Sequence, residues 1–238
     1  MSPLAGRIAV VTGASRGIGA AIATACERAG ARVVRAARSL TREARPTRLD
    51  VPCDVTDPRA VAALADATLA EFGAPDIVVS AAGLFLLRPL GDTSAEELRA
   101  QLAANLEGPF HLARGFLPAL RARGGGRFIT IGSVADHRAF PDNAAYAASK
   151  GGLRALHEVL REEYRGSGVL CTLISPGPTD TDAWDPYDPD RRPGFTPRAR
   201  MLRPEDVAET VLWVATRPAG VDVEWIRIGP AGKLGVES

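Results

Sequence analysis

The sequence predicts an α/β chain: one doubly wound domain, with about seven parallel strands and helices on both faces of the sheet. Three observations carry this. The 238 residues, 46% hydrophobic and 24% charged, can bury a sizeable core and fall in the range of one large α/β domain. Short apolar runs alternate with longer stretches of helical period along the chain. The runs are apolar on both faces and rich in Val and Ile, as strands must be when helices cover a parallel sheet from each side. A single domain over residues 1–238 is therefore expected.

In chain order, strands are expected at 8–12, 33–37, 49–53, 77–80, 128–131, 170–174 and 225–228. Helices are expected at 17–29, 58–71, 94–121, 145–165 and 204–216. Asp57-Pro58 and Arg203-Pro204 place proline at a first helical position, and Thr93-Ser94 offers a cap ahead of Glu96 and Glu97. Gly30, Gly73 and Gly166 supply the left-handed residue that closes a helix. Residues 176–203 break the alternation: Pro, Asp and Arg crowd around Trp184, Tyr187 and Phe195 without a period. A long irregular segment in a compact domain is expected to be a functional lid.

Charge and cysteine content narrow the partners. A formal net charge of +1 gives no general attraction to nucleic acid or an anionic membrane, so any anion must be held by local groups. Cys26, Cys53 and Cys171 are scattered, with neither the spacing of a zinc site nor that of a disulfide framework, and no metal is expected. The first residues lead straight into a strand without a leader pattern, and no apolar stretch reaches the roughly 20 residues of a spanning helix. A soluble, cytoplasmic protein with a small-molecule partner is expected.

Two local patterns carry chemistry. After the first strand, Thr12 precedes Gly13-Ala14-Ser15-Arg16-Gly17-Ile18-Gly19, which opens the first helix. Glycines there let backbone amides approach a pyrophosphate, and the helix N-terminus adds partial positive charge, so the turn predicts a dinucleotide site. Tyr146 and Lys150, thirteen and seventeen residues after Ser133, stand one helical turn apart on a common face. A cation beside a phenol lowers its pKa toward working pH, which makes Tyr146 a candidate acid or base. The plainer reading is an amphipathic helix with a half-buried Tyr and a solvated Lys. Lys150 is one of two lysines against 27 arginines, and a compact ammonium is chemically distinct from a guanidinium fork.

The glycine turn, Asn105, Ser133, Tyr146 and Lys150, in this order, resemble the short-chain dehydrogenase/reductase family over nearly the whole chain. The resemblance implies a Rossmann fold, a nicotinamide cofactor and hydride transfer to or from a carbonyl or alcohol carbon. It implies that Tyr146 is the acid of reduction and the base of oxidation, and that Lys150 holds the nicotinamide ribose and tunes the phenol. By the same resemblance Ser133 binds the substrate oxygen and Asn105 anchors a water behind Lys150. At the end of the second strand, Ala37 takes the place of the acid that would hold a ribose 2′-hydroxyl, and Arg38 follows it. With Arg16 in the glycine turn as a second guanidinium for a 2′-phosphate, NADP(H) is the expected cofactor.

Further cofactor contacts follow from the resemblance: Gly13, Ser15, Gly17, Ile18, Gly19 and Ser39; Asp54 and Val55 at the adenine; Ala81, Ala82 and Gly83; and Pro176, Gly177, Thr179 and Thr181 near the nicotinamide. Ser80-Ala81 departs from the family's Asn-Asn, removing an amide that braces the central sheet. Phe85, Val134, His137, Phe140 and Trp184, with Leu84 and Leu87, are expected to form a mostly apolar substrate pocket. His157 is expected to be structural. Arg191, Arg192, Arg198 and Arg200 either form a solvated basic loop or grip an anionic substrate. The ending around Arg227-Ile228-Gly229-Pro230 is similar to a subgroup of NADP-dependent enzymes acting on hydroxy acids and assorted carbonyls. A homodimer or homotetramer built on the two long helices is expected. An NADP(H)-binding regulatory or scaffold protein of the same fold is the alternative to an enzyme.

Overall fold

The computed structural model describes residues 2–231. Eight strands form one sheet in the order β3-β4-β2-β1-β5-β6-β7-β8, with β1 Ile8–Thr12, β2 Arg32–Ala37, β3 Glu43–Arg45, β4 Arg48–Pro52, β5 Ile77–Ser80, β6 Gly126–Ile131, β7 Val169–Pro176 and β8 Trp225–Ile228. Seven are parallel, as the apolar runs predict. The sequence reading missed β3, an exposed edge strand that pairs antiparallel with β4. Glu-Ala-Arg carries no apolar signal, because an edge strand open to solvent buries nothing.

The helices are α1 Gly17–Arg28, α2 Pro58–Glu71, α3 Ala95–Leu102, α4 Gly108–Ala122, α5 Ala144–Glu163 and α6 Pro204–Ala215. Alternate strand residues feed opposite layers. Val10, Val34, Val78 and Phe128 pack with Leu64 of α2 and Leu112 and Phe116 of α4. Ala9, Val11, Val33, Val79 and Ile129 pack with Ile22 of α1 and Val207 and Val211 of α6. A sheet buried on both faces has no polar alternation to show, which is why its strands read as continuous apolar runs.

The caps act as the sequence suggests. The Asp57 side chain accepts from the Arg59 N–H ahead of Pro58, and Ser94 and Glu97 form a reciprocal capping box. The expected helix over 94–121 is interrupted, however: Ala103–Glu107 is a π-helical turn between α3 and α4. Such insertions concentrate at functional positions, and this one carries the buried Asn105. The three cysteines are free and buried, and burial pushes the Cys26 and Cys171 thiols up to about 12 and Cys53 up to about 11. They serve as small core residues.

Beyond β7 the chain follows 176–203 as two short 3₁₀ turns, Asp182–Tyr187 and Arg198–Arg200, closed by a bridge between Thr179 and Leu202. Strand order reverses at β1, whose neighbours are β2 and β5. Chains leaving β1 and β5 therefore diverge, and a crevice opens at the carboxyl ends of the strands.

Candidate active site

That crevice is a cleft of about 1320 Å³, running from the end of β2, over the glycine turn, to the 176–203 segment. Every site residue expected from the sequence lines it, with one exception. His137 turns away: its Nδ1 lies 2.5 Å from the Asp136 carboxylate and its ring stands edge-on to Trp225 at 5.3 Å. The expectation that His137 faces substrate is thus corrected, because a buried carboxylate one residue earlier captures the imidazole.

The glycine turn has no room for side chains. A Cβ on Gly13, at φ +68°, would lie 2.9 Å from the Ala82 backbone, and one on Gly19 would lie 2.3 Å from the Gly13 carbonyl oxygen. Arg35 steadies the turn from β2 by donating to the Ala14 carbonyl at 2.7 Å. Thr12 takes over the bracing that a missing amide would have supplied: its Oγ1 accepts from the N–H groups of Ala81 and Ala82 at 3.1 and 3.2 Å. Arg35 and Arg48 pair with Asp50, whereas the exposed Arg16 and Arg38 make no ion pair among the described residues. A cradle stripped of Cβ atoms, with unpaired cations where a ribose-binding acid is absent, fits a phosphorylated dinucleotide.

Ser133, Tyr146 and Lys150 converge beside this cradle. Ser133 follows β6 by two residues and caps the short turn after it, its Oγ accepting from the Ala135 N–H at 3.2 Å. Tyr146 and Lys150 lie in the first two turns of α5, with the ammonium 5.7 Å from the phenol ring centre and donating to the Ile131 carbonyl at 3.1 Å. Lys150 does not lower the phenol in the free site, contrary to the simplest expectation. Burial pushes Tyr146 up to about 12, opposed by a hydrogen bond from Ser133 and assisted by the Asp136 charge. Burial likewise brings Lys150 down to about 8, with Asp136 pulling it back up.

Asn105 serves as a brace. Its amide donates to the Leu84 carbonyl at 2.8 Å and to Ser149 Oγ at 2.9 Å, while its Oδ1 accepts from the Leu84 N–H at 2.8 Å. Both amide hydrogens are engaged, so the side chain ties the backbone at Leu84 to Ser149 of α5. Gly83 is required here, since a Cβ would sit 2.8 Å from Asn105 Oδ1.

Sequence reasoning missed Asp136. Its side chain is sealed from solvent, and one oxygen accepts from Ser175 Oγ at 2.5 Å and from the Ser133 N–H at 3.4 Å. Ser175 in turn accepts from the Trp225 indole at 2.8 Å. One carboxylate thus ties Ser133 to β7, just before Pro176-Gly177, and to β8. The Ser133-x-x-Asp136 spacing of a capping box was the available signal.

The 176–203 segment covers the substrate end. The Phe85 ring lies 5.0 Å from Tyr146, 4.8 Å from Trp184 and 5.7 Å from Tyr187, and Leu87 N–H donates to the Tyr187 hydroxyl at 2.9 Å. The arginines here are mostly staples: Arg192 pairs with Asp142 at 2.8 Å, Arg198 bridges Asp180 and Asp185, and Arg191 reaches Asp188 at 3.8 Å. Arg192 and Arg198 are thus held by carboxylates, whereas Arg191 and Arg200 are exposed, as a solvated basic loop would have them. Among the described residues, no helix is long and apolar enough to cross a membrane, and no group of three or more His, Cys, Asp or Glu is placed to hold a metal ion.

Residues 13–221 match a family model described as enoyl-(acyl carrier protein) reductase. The chain is 36% identical over 240 residues to the glycine betaine reductase ATRR of Emericella nidulans, covering 96% of this chain but only 19% of that much longer protein. Among solved structures, a metagenomic short-chain oxidoreductase (SDR) in complex with NADP superposes with a TM-score of 0.79 at 34% identity, covering 97% of this chain and 100% of that one. The closed form of a serine dehydrogenase complexed with NADP+ superposes with a TM-score of 0.85 at 28% identity, covering 97% and 98%. A family match over most of the chain, joined to a fold shared end to end with such a relative, shows that the chain belongs to the short-chain dehydrogenase/reductase family.

Proposed function

We propose that the protein is a cytoplasmic NADP(H)-dependent oxidoreductase that interconverts a carbonyl group and a secondary alcohol, with Tyr146 as its proton donor and acceptor. The observation that carries this is the convergence of Ser133, Tyr146 and Lys150 in one cleft with the glycine turn. Gly13, Gly17 and Gly19 would receive the pyrophosphate, Arg16 and Arg38 the 2′-phosphate, Asp54 and Val55 the adenine, and Thr179 and Thr181 the nicotinamide end. Bound there, NADP(H) supplies or accepts the hydride. Relatives solved with NADP or NADP+, one of them a serine dehydrogenase, support both the cofactor and the CH–OH chemistry.

The chain's own groups do the rest. Ser133 binds the substrate oxygen, and Tyr146 delivers its proton to that oxygen during reduction. A phenol held near 12 stays protonated through the physiological range and is therefore loaded for donation. Lys150 holds the ribose and restores charge beside the phenol as it loses its proton. The 176–203 segment is the lid that excludes water and presents Trp184 to substrate. A homodimer or homotetramer through α3, α4 and α5 is part of this reading, and the exposed Leu98, Phe110 and Val159 on these helices support it.

A panel of ketones and aldehydes, followed by loss of NADPH absorbance, tests the activity. Tyr146→Phe is expected to abolish NADPH consumption while NADPH binding survives. A fully active variant would refute the assignment, and binding without turnover across a broad panel would point to a regulatory protein.

A further inference from the structure

Asn143 is the N-cap of α5, three residues before Tyr146, yet its side chain makes no capping hydrogen bond. Asparagine at this position ordinarily accepts from the second or third N–H of the helix, because those donors have no partner inside it. Here the residue is 5% exposed, lines the cleft, and leaves its Oδ1 buried without a partner among the described residues. Buried polar groups are nearly always paired, so an unpaired one in a cleft wall marks a place for a ligand.

The surroundings hold the amide in place without satisfying it. Asp142, in the left-handed region at φ +60°, accepts from the Arg88 N–H at 2.7 Å through its carbonyl and from Arg192 at 2.8 Å through its carboxylate. The Asn143 carbonyl accepts from the Ala147 N–H at 2.8 Å as α5 begins. The Asn143 backbone and the preceding Asp142 are thereby fixed, while the Asn143 side chain is left unengaged. Phe85 and Trp184 line the same cleft but leave the amide unanswered, since Phe85 has no polar side-chain atom and the Trp184 indole N–H donates to the Thr179 carbonyl at 3.0 Å.

We propose that Asn143 is a substrate-binding residue that selects carbonyl compounds carrying a hydroxyl a few bonds from the carbonyl, that is, hydroxy ketones and hydroxy aldehydes. This rests on the carbonyl chemistry proposed for Tyr146. A carboxamide offers an acceptor and a donor, and a hydroxyl answers whichever faces it. A substrate carboxylate accepts only and would leave the amide oxygen unpaired. Asn143 stands three residues before Tyr146 and lines the same cleft, so the hydroxyl it would meet is assigned to the α or β carbon of a substrate whose carbonyl faces Tyr146. A site built to pair a hydroxyl rejects the analogue lacking it far more strongly than an apolar pocket rejects a missing methylene.

The test compares 1-hydroxy-2-butanone and 4-hydroxy-2-butanone with 2-butanone, using the wild-type protein, Asn143→Ala and the near-isosteric Asn143→Leu. The wild type is expected to favour at least one hydroxy ketone in kcat/KM by about tenfold or more, and both variants to lose most of that ratio. Equal use of all three ketones by the wild type, or a ratio unchanged in the variants, overturns the inference. Affinity is read separately from quenching of tryptophan fluorescence with the enzyme saturated by NADP+, where a ketone binds without turnover. Tighter binding of a hydroxy ketone that disappears in both variants upholds the inference even if no ketone is reduced, an outcome that counts against the proposed reaction instead. Binding that ignores the hydroxyl, or none at all, overturns the inference.

Discussion

At the scale of single residues, the site is governed by burial as much as by charge. Tyr146 keeps its proton up to about 12 and cannot set the alkaline limit of the reduction, whereas Lys150, brought down to about 8, can. For reduction with NADPH, kcat/KM is expected to fall as pH rises through about 8, because this ratio reports groups of the free enzyme and the ammonium is lost there. Asp136 holds Lys150 up, so Asp136→Asn should move that limb to lower pH. The same substitution keeps the shape of the side chain but faces the donors of Ser133 and Ser175 with an amide on one side, misplacing Ser133. A fall in kcat of roughly tenfold to a hundredfold is expected, with a smaller change in KM for NADPH. An unshifted limb together with an unchanged kcat would remove Asp136 from any positioning role. The spacing of Tyr146 and Lys150 alone fitted a plain amphipathic helix, and only the glycine turn, Asn105 and Ser133 beside it singled the pair out; the direction of the phenol's shift was not legible at all, since burial is a property of the folded cleft.

At the scale of elements, what the sequence shows depends on what each element packs against. Strands covered on both sides announce themselves, but β3 does not, and the π-helical turn at Ala103–Glu107 hides inside a continuous helical period. That turn lies between α3, whose buried residue is Gln101, and α4, which buries Leu112, Phe116 and Leu120, so no apolar stripe crosses the break to mark it. The segment 176–203 was legible as irregular, yet its arginine pairs were not: Arg192 and Asp142 are 50 residues apart. His157 illustrates an element-level constraint with a measurable consequence. Buried on α5 against β6, with Nδ1 3.2 Å from Thr130 Oγ1, it is pushed down to about 4, chiefly by desolvation. A base whose folded pKa lies below its unfolded value costs stability once the unfolded chain binds the proton and the folded one does not. Unfolding free energy should therefore decline as pH drops from about 6.5 to about 4, by up to about 3 kcal/mol. Denaturant titrations at several pH values measure it, and His157→Gln should flatten the decline over that window. An equally steep decline in the variant would assign the acid sensitivity to other groups.

At the scale of the whole molecule, the doubly wound sheet follows from the alternation of apolar runs and helices, and the crevice follows from the reversal of strand order at β1. Cofactor discrimination belongs to this scale, because it joins the end of β2 to the first turn of α1 across the sheet's edge. Arg16 and Arg38 are exposed cations at that junction, without an ion pair among the described residues, and Ala37 stands where an acid would hold a 2′-hydroxyl. A ligand that binds only the folded chain stabilises it by about 2.7 kcal/mol at one hundred times its Kd. For a chain of this size each kcal/mol raises Tm by roughly 2–4 °C, so saturating NADPH should raise it by about 5–10 °C. NADH at the same concentration lacks the phosphate that the guanidinium groups would grip and should raise Tm by much less. Arg38→Asp removes a cation and supplies the missing acid, so its effect should be a reversal: NADH becomes the better stabiliser and NADPH the poorer. Differential scanning fluorimetry on the two proteins with the two cofactors gives four shifts, and only a crossing pattern agrees with a 2′-phosphate site at Arg38. Equal shifts with both cofactors in the wild type would mean that these arginines are solvated surface charges and that the pyrophosphate cradle alone supplies the affinity.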